Sequence, residues 1–566
     1  MPAEATIGEN MPTIEISQKT LEKLVGRKVN YADFEAVKGS VDSQEGERIK
    51  LEIGDTNRPD LWSVEGVARV LRGYYGLQKG IPKMKLKPST KKIIVNANIR
   101  KIRPFIAGVI AKKLKIDEDL LLDMIQLQEK VCENYGKKRH KISIGIYDYD
   151  KIEFPVHYKA IRPDGIKFTP LEFNKSMTLA EILEEHPKGL QYGYIVKAHK
   201  LYPIFIDSKE DVLSFPPIIN SNYLGRVVPG MQNIFTEITG TDMKTVLIAT
   251  NILAQALYDR GASLESVVVE YPWKTVHGGK FSTPLLFREK ITFDKSKIES
   301  VLGLKLVNKD IKTLLEKMQY NVLSIKDSVT VEIPYYRNDV MHGVDVIEDL
   351  AIAYGYSKFT ELEMKGFTIG KLKDFTVFVR RCKTLMAGLG FQEILSPILS
   401  SKPSVHDKMR TTGKELIEIE NVMAESYSVV RSWMLPSLMN CLSRNLHVEY
   451  PQRIFELGEC ATRSVEDTKT VSKLAACISD TAAGYEQISS ALDAFLRNLG
   501  LKYRLEEAEH GTFIKGRVAR IVVDGKGIGV IGEVHPEVLN NWGLEMPAAG
   551  FELDIDEIYE IVGKNA

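Results

Sequence analysis

The sequence predicts an α+β, multidomain protein, and three observations carry that prediction. The chain has 566 residues, which corresponds to about four domains of ordinary size. Its hydrophobic content of 44% is ample for several cores. In the C-terminal third, strand-like runs follow one another without regular strand–helix alternation, so that region reads as an antiparallel sheet with added helices.

Each element is justified in turn. Residues 1–10, MPAEATIGEN, are acidic and polar and read as a frayed extension or a cloning remnant. Residues 11–90 form an α/β N-terminal module: a helical pattern over Ser17 to Val25, the strand RIKLEI, a turn at Asn57, Pro59 and Asp60, and a helix from Leu61 to Leu71 that ends near Gly73. The run IPKMKLKPSTKK alternates Lys83, Lys85 and Lys87 with Met84 and Leu86, and reads as an extended, solvated linker. In residues 91–280 the strands RPFIAGVIA, KISIGIYDY, YIVKAH, YPIFID and SVVVEYPW surround helices near 117–135, 177–185 and 243–260. Residues 281–357 read as a compact helix–helix–wing module, with the strand LLFREKITF, helices near 295–302 and 308–319, the strand VTVEIPYYR and an acidic helix. Residues 371–566 open on the long helix FTVFVRRCKTLMAGLG, followed by a strand that ends at Pro397 and the strands RIFELGE, KLAACI, RVARIVV, IGVIGEV and FELDID.

Charge and cysteine content exclude several classes. Basic and acidic residues nearly cancel, leaving a formal charge of +1, so no global attraction to nucleic acid or anionic membrane is expected and a polyanion must be met by local patches. The cysteines at 132, 382, 441, 460 and 477 form no CxxC pair and are odd in number, which fits reduced thiols. No stretch reaches the ~18 apolar residues of a membrane helix, and the start lacks a signal-peptide core; a cytoplasmic protein is expected. There is no GxxxxGK[ST] phosphate loop, no HIGH- or KMSKS-like signature and no HExxH, and the glycines of DGKGIGVIG sit in a strand–turn–strand context that suits a hairpin.

The densest chemical signal is acidic. Asp339, Asp345, Glu348 and Asp349 fall in the run PYYRNDVMHGVDVIEDLAIAYGY, where Val346, Ile347, Leu350, Ala351 and Tyr354 recur at helical spacing. Asp345, Glu348 and Asp349 therefore share one helix face at i, i+3 and i+4, where like charges repel and a hard cation such as Mg²⁺ relieves them. The same residues also suit a helix start, with Asp345 as N-cap, Glu348 as its capping-box partner and Asp349 solvated. The two readings are compatible and both stand.

Taken together, TNRPDLWSVEGVARVLRGYYG, FPPIINSNYLG, TEITGTD, the acidic block, RIFELGE, and GEVHPEVLNNWGL with FELDID make the chain resemble the β subunits of archaeal/eukaryotic-type phenylalanyl-tRNA synthetases from Met11 to its end. The resemblance implies an (αβ)2 heterotetramer with an α subunit that uses ATP to make phenylalanyl-adenylate and charges tRNA(Phe) with phenylalanine. The β chain then supplies assembly, tRNA contact and hydrolysis of mischarged Tyr-tRNA(Phe). It implies that residues 91–280 are an editing domain and that 281–357 resemble a winged helix. It also implies that Asp339, Asp345, Glu348 and Asp349 hold a Mg²⁺ shared with α. Residues 371–566 resemble a degenerate class II synthetase core: RIFELGE lacks the arginine-plus-acid arrangement that grips ATP, and Arg431 and Arg444 are the remaining cationic candidates.

For the hydrolytic site the resemblance implies Ser214, Glu237 and Thr239, with Asn220 and Ser221 nearby. Two positions depart from the family pattern: Glu237 stands where an aspartate is usual, and Phe205 where an aliphatic residue is usual. Read from the residues alone, Thr239 and Thr241 suit a turn and cap, and Ser214 a turn before Pro216 and Pro217. Lys137, Lys138, Arg139, His140 and Lys141, beside Tyr135, form a cluster suited to RNA phosphates or to solvent. Two other functions fit parts of the chain: a stand-alone hydrolase of mischarged tRNA, which has no need of residues 371–566, and a nucleic-acid-binding regulatory protein built on the winged-helix module.

Overall fold

The computed structural model describes residues 12–361, 363–364, 366–412, 416–422, 424–463 and 467–565, so the N-terminal extension lies outside the described residues. The chain divides into two compact units, Met1–Leu362 and Glu363–Ala566. The α+β, multidomain architecture expected from the sequence is what the chain adopts.

The first unit begins with a three-stranded antiparallel sheet in which Arg48–Ile53 lies between Thr13–Ser17 and Gly39–Glu45. Ser17 ends its strand and caps the helix Gln18–Val25 by accepting from the Thr20 amide. The helix expected from Leu61 is divided: a 3₁₀ turn spans Pro59–Leu61, and Ser63 caps a new helix, α1 (Val64–Tyr74). Gly66 of α1 has to be glycine, because a Cβ there would stand 1.8 Å from the Asp60 carbonyl oxygen.

The centre of this unit is an eleven-stranded sheet. Five of its elements frame the site: β1 (Phe105–Lys112), α2 (Glu118–Lys130), β2 (Ile142–Asp148), β3 (Val212–Phe215) and β4 (Ile234–Gly240). β4 runs antiparallel between β1 and β2, and all seven of its residues are buried. The helix α3 (Met243–Asp259) packs on β1 and β4, capped by Asp242 and not by Thr241. Two expectations change here. YIVKAH is a 3₁₀ turn (Gly193–Ile195) and a further turn instead of a strand; it continues directly from the short helix Pro187–Tyr192, and its apolar residues are too few to pair across a sheet. The basic connector is partly built in: Leu86–Lys87 pairs in parallel with Leu264 and Glu265, and Met84 is buried.

Beyond it, Lys290–Asp294, Ser328–Glu332 and Asn321–Ile325 form a three-stranded antiparallel sheet. Helices Ser296–Leu302, Asn308–Lys317 and α4 (Gly343–Tyr354) share its core with Phe293, Leu315, Tyr320 and Leu350.

The second unit is a seven-stranded sheet, antiparallel except where Gln392–Glu393 adds a parallel edge. Alternation along β5 (Gln452–Arg463) and β6 (Thr468–Ser479) sends Phe455, Leu457, Leu474 and Ala476 to one core and Ile454, Cys460, Ala475 and Cys477 to the other. The first core takes helices α5 (Asp374–Gly388), α7 (Tyr485–Asn498) and α9 (Ile555–Asn565); the second takes α6 (Leu435–Arg444) and α8 (Pro536–Trp542). DGKGIGVIG forms the turn and return strand of a hairpin, as its spacing indicates. The five cysteines are free and four of them are buried.

Candidate functional site

A cavity of about 250 Å³ opens beside α2, β2, β3 and β4. Its walls are mostly apolar, with Leu121, Met124, Ile144, Ile146, Phe215 and Ile218, while Ser143, Ser214, Asn220 and Glu237 contribute polar groups. Ser214 and Glu237, from separate segments of the sequence, are thus brought together. Thr239 is not on the wall but one layer behind it: its hydroxyl exchanges a 2.9 Å hydrogen bond with Ser143 and accepts one of 3.0 Å from Arg103 Nε. Ser221 is buried and turned to the backbone, accepting from the Leu224 amide. Phe205 is fully buried against the rings of Tyr147, Tyr158 and Phe235 and supports the site from behind.

The strand register explains how a glutamate fits inside a sheet. Glu237 and Thr239 lie two apart on β4 and so share a face. Glu237 stands opposite Gly145 on β2 and Gly108 on β1, so neither neighbouring strand places a side chain beside it. Tyr147, on the same face of β2 as Gly145, fills the space: its phenol lies 2.8 Å from Glu237 Oε1 and 2.8 Å from Ser214 Oγ. Glu237 Oε2 is buried with no hydrogen-bond partner. Burial pushes the Glu237 carboxyl up to about 7, against the opposing pull of the Tyr147 hydrogen bond and the Arg103 charge. Burial likewise raises the Tyr147 phenol well above its ordinary range, and the Glu237 charge adds to the shift.

Arg103 is the second buried charge. Its guanidinium donates to Thr239 Oγ1, the Thr239 carbonyl, the His140 carbonyl and Ser143 Oγ, and it touches no carboxylate. Burial lowers its proton affinity, partly offset by Tyr158 and Glu237. Sequence reasoning missed Arg103, Ser143, Gly145 and Tyr147. The last three were accessible in principle, since the two-residue period of KISIGIYDY places them on one strand face; nothing in the sequence marks Arg103.

At the cavity mouth Arg139 donates to the carbonyls of Pro217 (3.2 Å) and Ile218 (2.9 Å) and lies 4.2 Å over the Tyr192 ring. Lys137, Lys138 and Arg139 all have positive φ, at 49°, 50° and 64°. Three consecutive non-glycine residues in the left-handed region are costly. This turn sends Arg139 inward and leaves Lys137 and Lys138 exposed.

The acidic block has a different character. Arg337 donates to both Asp339 oxygens, with Nε at 2.8 Å from Oδ1, and its Nη1 lies 2.7 Å from Asp349 Oδ2. Asp349 is thus buried and paired, not solvated. Burial disfavours the Asp339 charge, yet Arg337 and Arg58 hold its carboxyl down at about 2. His342, and not Asp345, is the N-cap of α4; Asp345 is the third residue of the helix and accepts the His342 and Met341 amides at 2.6 and 2.7 Å. Glu348 pairs with Lys38 at 2.5 Å instead of completing a capping box. These hydrogen bonds use one oxygen each of Asp345, Glu348 and Asp349. The donor type suits a hard divalent cation. Among the described residues no three acidic, histidine or cysteine side chains converge to hold a metal, so a cation here needs ligands from outside this chain.

In the second unit the cationic candidates are accounted for differently. Arg431 is buried: it donates to Glu456 Oε1 at 2.8 Å, to Ser396 Oγ at 2.9 Å and to the Glu459 carbonyl at 2.9 Å. A Cβ on Gly458 would stand 2.6 Å from its Nη2. Lys473 is 2.9 Å from Glu552, which also accepts the amides that open α6. Arg444 is exposed at the end of α6. Arg431 and Lys473 are thus both neutralised within this unit.

Comparison with known proteins identifies this arrangement. Residues 291–356 match the family model "tRNA synthetase B5 domain", and residues 362–555 match "Phenylalanyl tRNA synthetase beta chain CLM domain". The "Phenylalanine--tRNA ligase beta subunit" of Thermococcus sibiricus is 40% identical over 561 residues, covering 97% of this chain and 99% of that protein. The protein of the same description from Pyrococcus furiosus is 42% identical over 562 residues, covering 97% and 100%. A crystal structure of an N-terminal fragment of the phenylalanyl-tRNA synthetase β subunit from Pyrococcus horikoshii is 40% identical, with a TM-score of 0.58, and covers 61% of this chain and all of that fragment. Fold and sequence thus place the chain among the aminoacyl-tRNA synthetase proteins. It belongs to the phenylalanine--tRNA ligase β-subunit family.

Proposed function

We propose that this chain serves in the cytoplasm as the β subunit of an (αβ)2 enzyme that charges tRNA(Phe) with phenylalanine at the expense of ATP, and that it hydrolyses mischarged Tyr-tRNA(Phe) itself. One observation carries the hydrolytic half: a largely apolar cavity, wide enough for an aryl side chain, with the buried Ser214–Tyr147–Glu237 chain at one side. A charging pocket rejects the extra hydroxyl of tyrosine only modestly, whereas a second pocket that hydrogen-bonds that hydroxyl accepts tyrosine selectively. Ser214 and Glu237 are the polar contacts of that second pocket. Thr239 acts behind them by holding Ser143 and Arg103. The test is deacylation of Tyr-tRNA(Phe) by the assembled enzyme, in which Ser214→Ala and Glu237→Gln slow hydrolysis and leave phenylalanylation intact; equal hydrolysis in both variants moves the site elsewhere.

The synthetic site is assigned to the α subunit, because charging requires free cations on the α-phosphate and Arg431 and Lys473 are bound to Glu456 and Glu552. A stand-alone hydrolase has no use for this second unit. Among the described residues no helix is long and apolar enough to cross a membrane.

Mg²⁺ is proposed to sit at the acidic block only in the complex, where ligands from the α subunit complete a site to which Asp339, Asp345, Glu348 and Asp349, not converged in this chain, contribute. Asp345→Asn combined with Glu348→Gln is expected to lower the magnesium retained by the purified complex, measured by elemental mass spectrometry, with little change in folding. Unaltered metal content removes the assignment.

The left-handed turn is proposed to meet the phosphates of the tRNA end that enters the cavity. Lys137→Glu with Lys138→Glu is expected to raise KM for deacylation several-fold and to reduce the salt slope of tRNA binding by about one to two. An unchanged slope assigns these lysines to solvent.

A further inference from the structure

We propose that Tyr147 is a positioning residue that makes the Ser214–Glu237 wall of the cavity select a hydroxyl-bearing side chain, an inference that rests on the hydrolytic reading above. A phenol carries one proton, yet the Tyr147 oxygen lies 2.8 Å from both Ser214 Oγ and Glu237 Oε1. With Glu237 ionised, one arrangement satisfies both contacts: the phenol donates to Glu237 and the Ser214 hydroxyl donates to the phenol. The serine proton is then committed, and Ser214 presents only lone pairs. Glu237 has Oε1 committed and Oε2 without a partner. Every polar atom that this chain of bonds leaves over is an acceptor, so the group that satisfies it must donate. The para-hydroxyl of a tyrosyl ester donates; a phenylalanyl ring has nothing to offer and leaves the acceptors unpaired.

The surroundings hold Tyr147 in that place. Its ring packs 6.1 Å from Phe205 and 6.0 Å from Phe235. Gly145, two residues earlier on the same strand face, supplies the clearance: a Cβ there would stand 2.1 Å from the phenol oxygen and 2.7 Å from Glu237 Oε1. Phe205 and Glu237 both touch Tyr147. The titratable and charged groups around Glu237 are Tyr147, Tyr158 and Arg103. Of these, Tyr147 holds the carboxyl down through its hydrogen bond, so loss of the phenol moves Glu237 further up.

The experiment uses the assembled enzyme and single-turnover deacylation of tyrosyl- and phenylalanyl-tRNA(Phe) across the neutral pH range, with Tyr147→Phe, Gly145→Ala and Glu237→Gln beside wild type. Tyr147→Phe is expected to reduce the tyrosyl-over-phenylalanyl preference about tenfold or more and to move the acid limb of the pH profile to higher pH. Gly145→Ala is expected to reduce the preference in the same way without removing a polar group; if it does not fold, Tyr147→Phe decides alone. Unchanged preference and pH limb in Tyr147→Phe, with Glu237→Gln impaired, overturn the positioning role and leave the hydrolytic site standing. If Glu237→Gln is also unimpaired, both readings fall.

Discussion

Glu237→Gln is expected to slow deacylation of Tyr-tRNA(Phe) by ten- to a hundredfold and, at the same time, to make the protein more stable above neutral pH. The first effect follows from replacing a charged acceptor with an amide, since hydrogen bonds to charged groups contribute about 1.5–3 kcal/mol. The second follows from burial. The carboxyl titrates near 7 in the fold against an ordinary value of 4.5, so the folded state holds a proton that the unfolded chain has already released. Stability therefore falls as pH rises from the unfolded value through the folded one, and the whole cost is present above it. Glutamine carries no such cost, and the gain is roughly 3 kcal/mol at alkaline pH, shrinking to nothing below the unfolded value. Denaturant melts at acid and alkaline pH check the sign: a variant that is equally stable relative to wild type at both shows that Glu237 is not held neutral by its surroundings.

The other large effect is structural. Arg337→Met removes the cation shared by buried Asp349 and partly exposed Asp339, and leaves two carboxylates with Arg58 as the remaining nearby guanidinium, 3.7 Å from Asp339. Breaking a buried pair by removing one partner costs about 3–5 kcal/mol, and that loss is expected here in chemical denaturation of the variant. It has a pH signature with the opposite sign to that of Glu237. Asp339 is held at about 2 in the fold, so its contribution is complete above the unfolded value of 3.8 and is lost as pH falls toward 2. The gap between wild type and variant should narrow in acid. A gap that is small, or constant with pH, means that Arg337 does not neutralise the two carboxylates.

Much of the fold was legible because its elements obey simple periods. RIFELGE and KLAACI alternate residues between two cores, and Ser17 and the helix that follows it form an ordinary cap. YIVKAH misled because a short apolar run has no period long enough to separate strand from turn. The acidic block was the clearest pattern in the sequence and was only half read. Spacing placed three acids on one face of α4, but Arg337 and Lys38, which neutralise Asp349 and Glu348, come from the loop before the helix and from a residue more than three hundred positions away. Ser214 and Glu237 were assigned by resemblance, and the fold brings them to one wall. Thr239 was assigned in the same way and lies behind it, because its hydroxyl is claimed by Arg103. Tyr147 stayed hidden: a tyrosine in an apolar strand looks like core, and only the pairing of β2 with β4 shows that it faces a glutamate.

The central claim is a division of labour: charging depends on a second chain, while this chain edits. Phenylalanylation of tRNA(Phe) by the purified chain, with and without the polypeptide that co-purifies with it, tests the claim most directly. Charging that appears only with the partner is the predicted result, in keeping with Arg431 and Lys473 being tied to Glu456 and Glu552. Charging by this chain alone would contradict it, and would mean that the seven-stranded sheet of residues 371–566 is a working synthetase core.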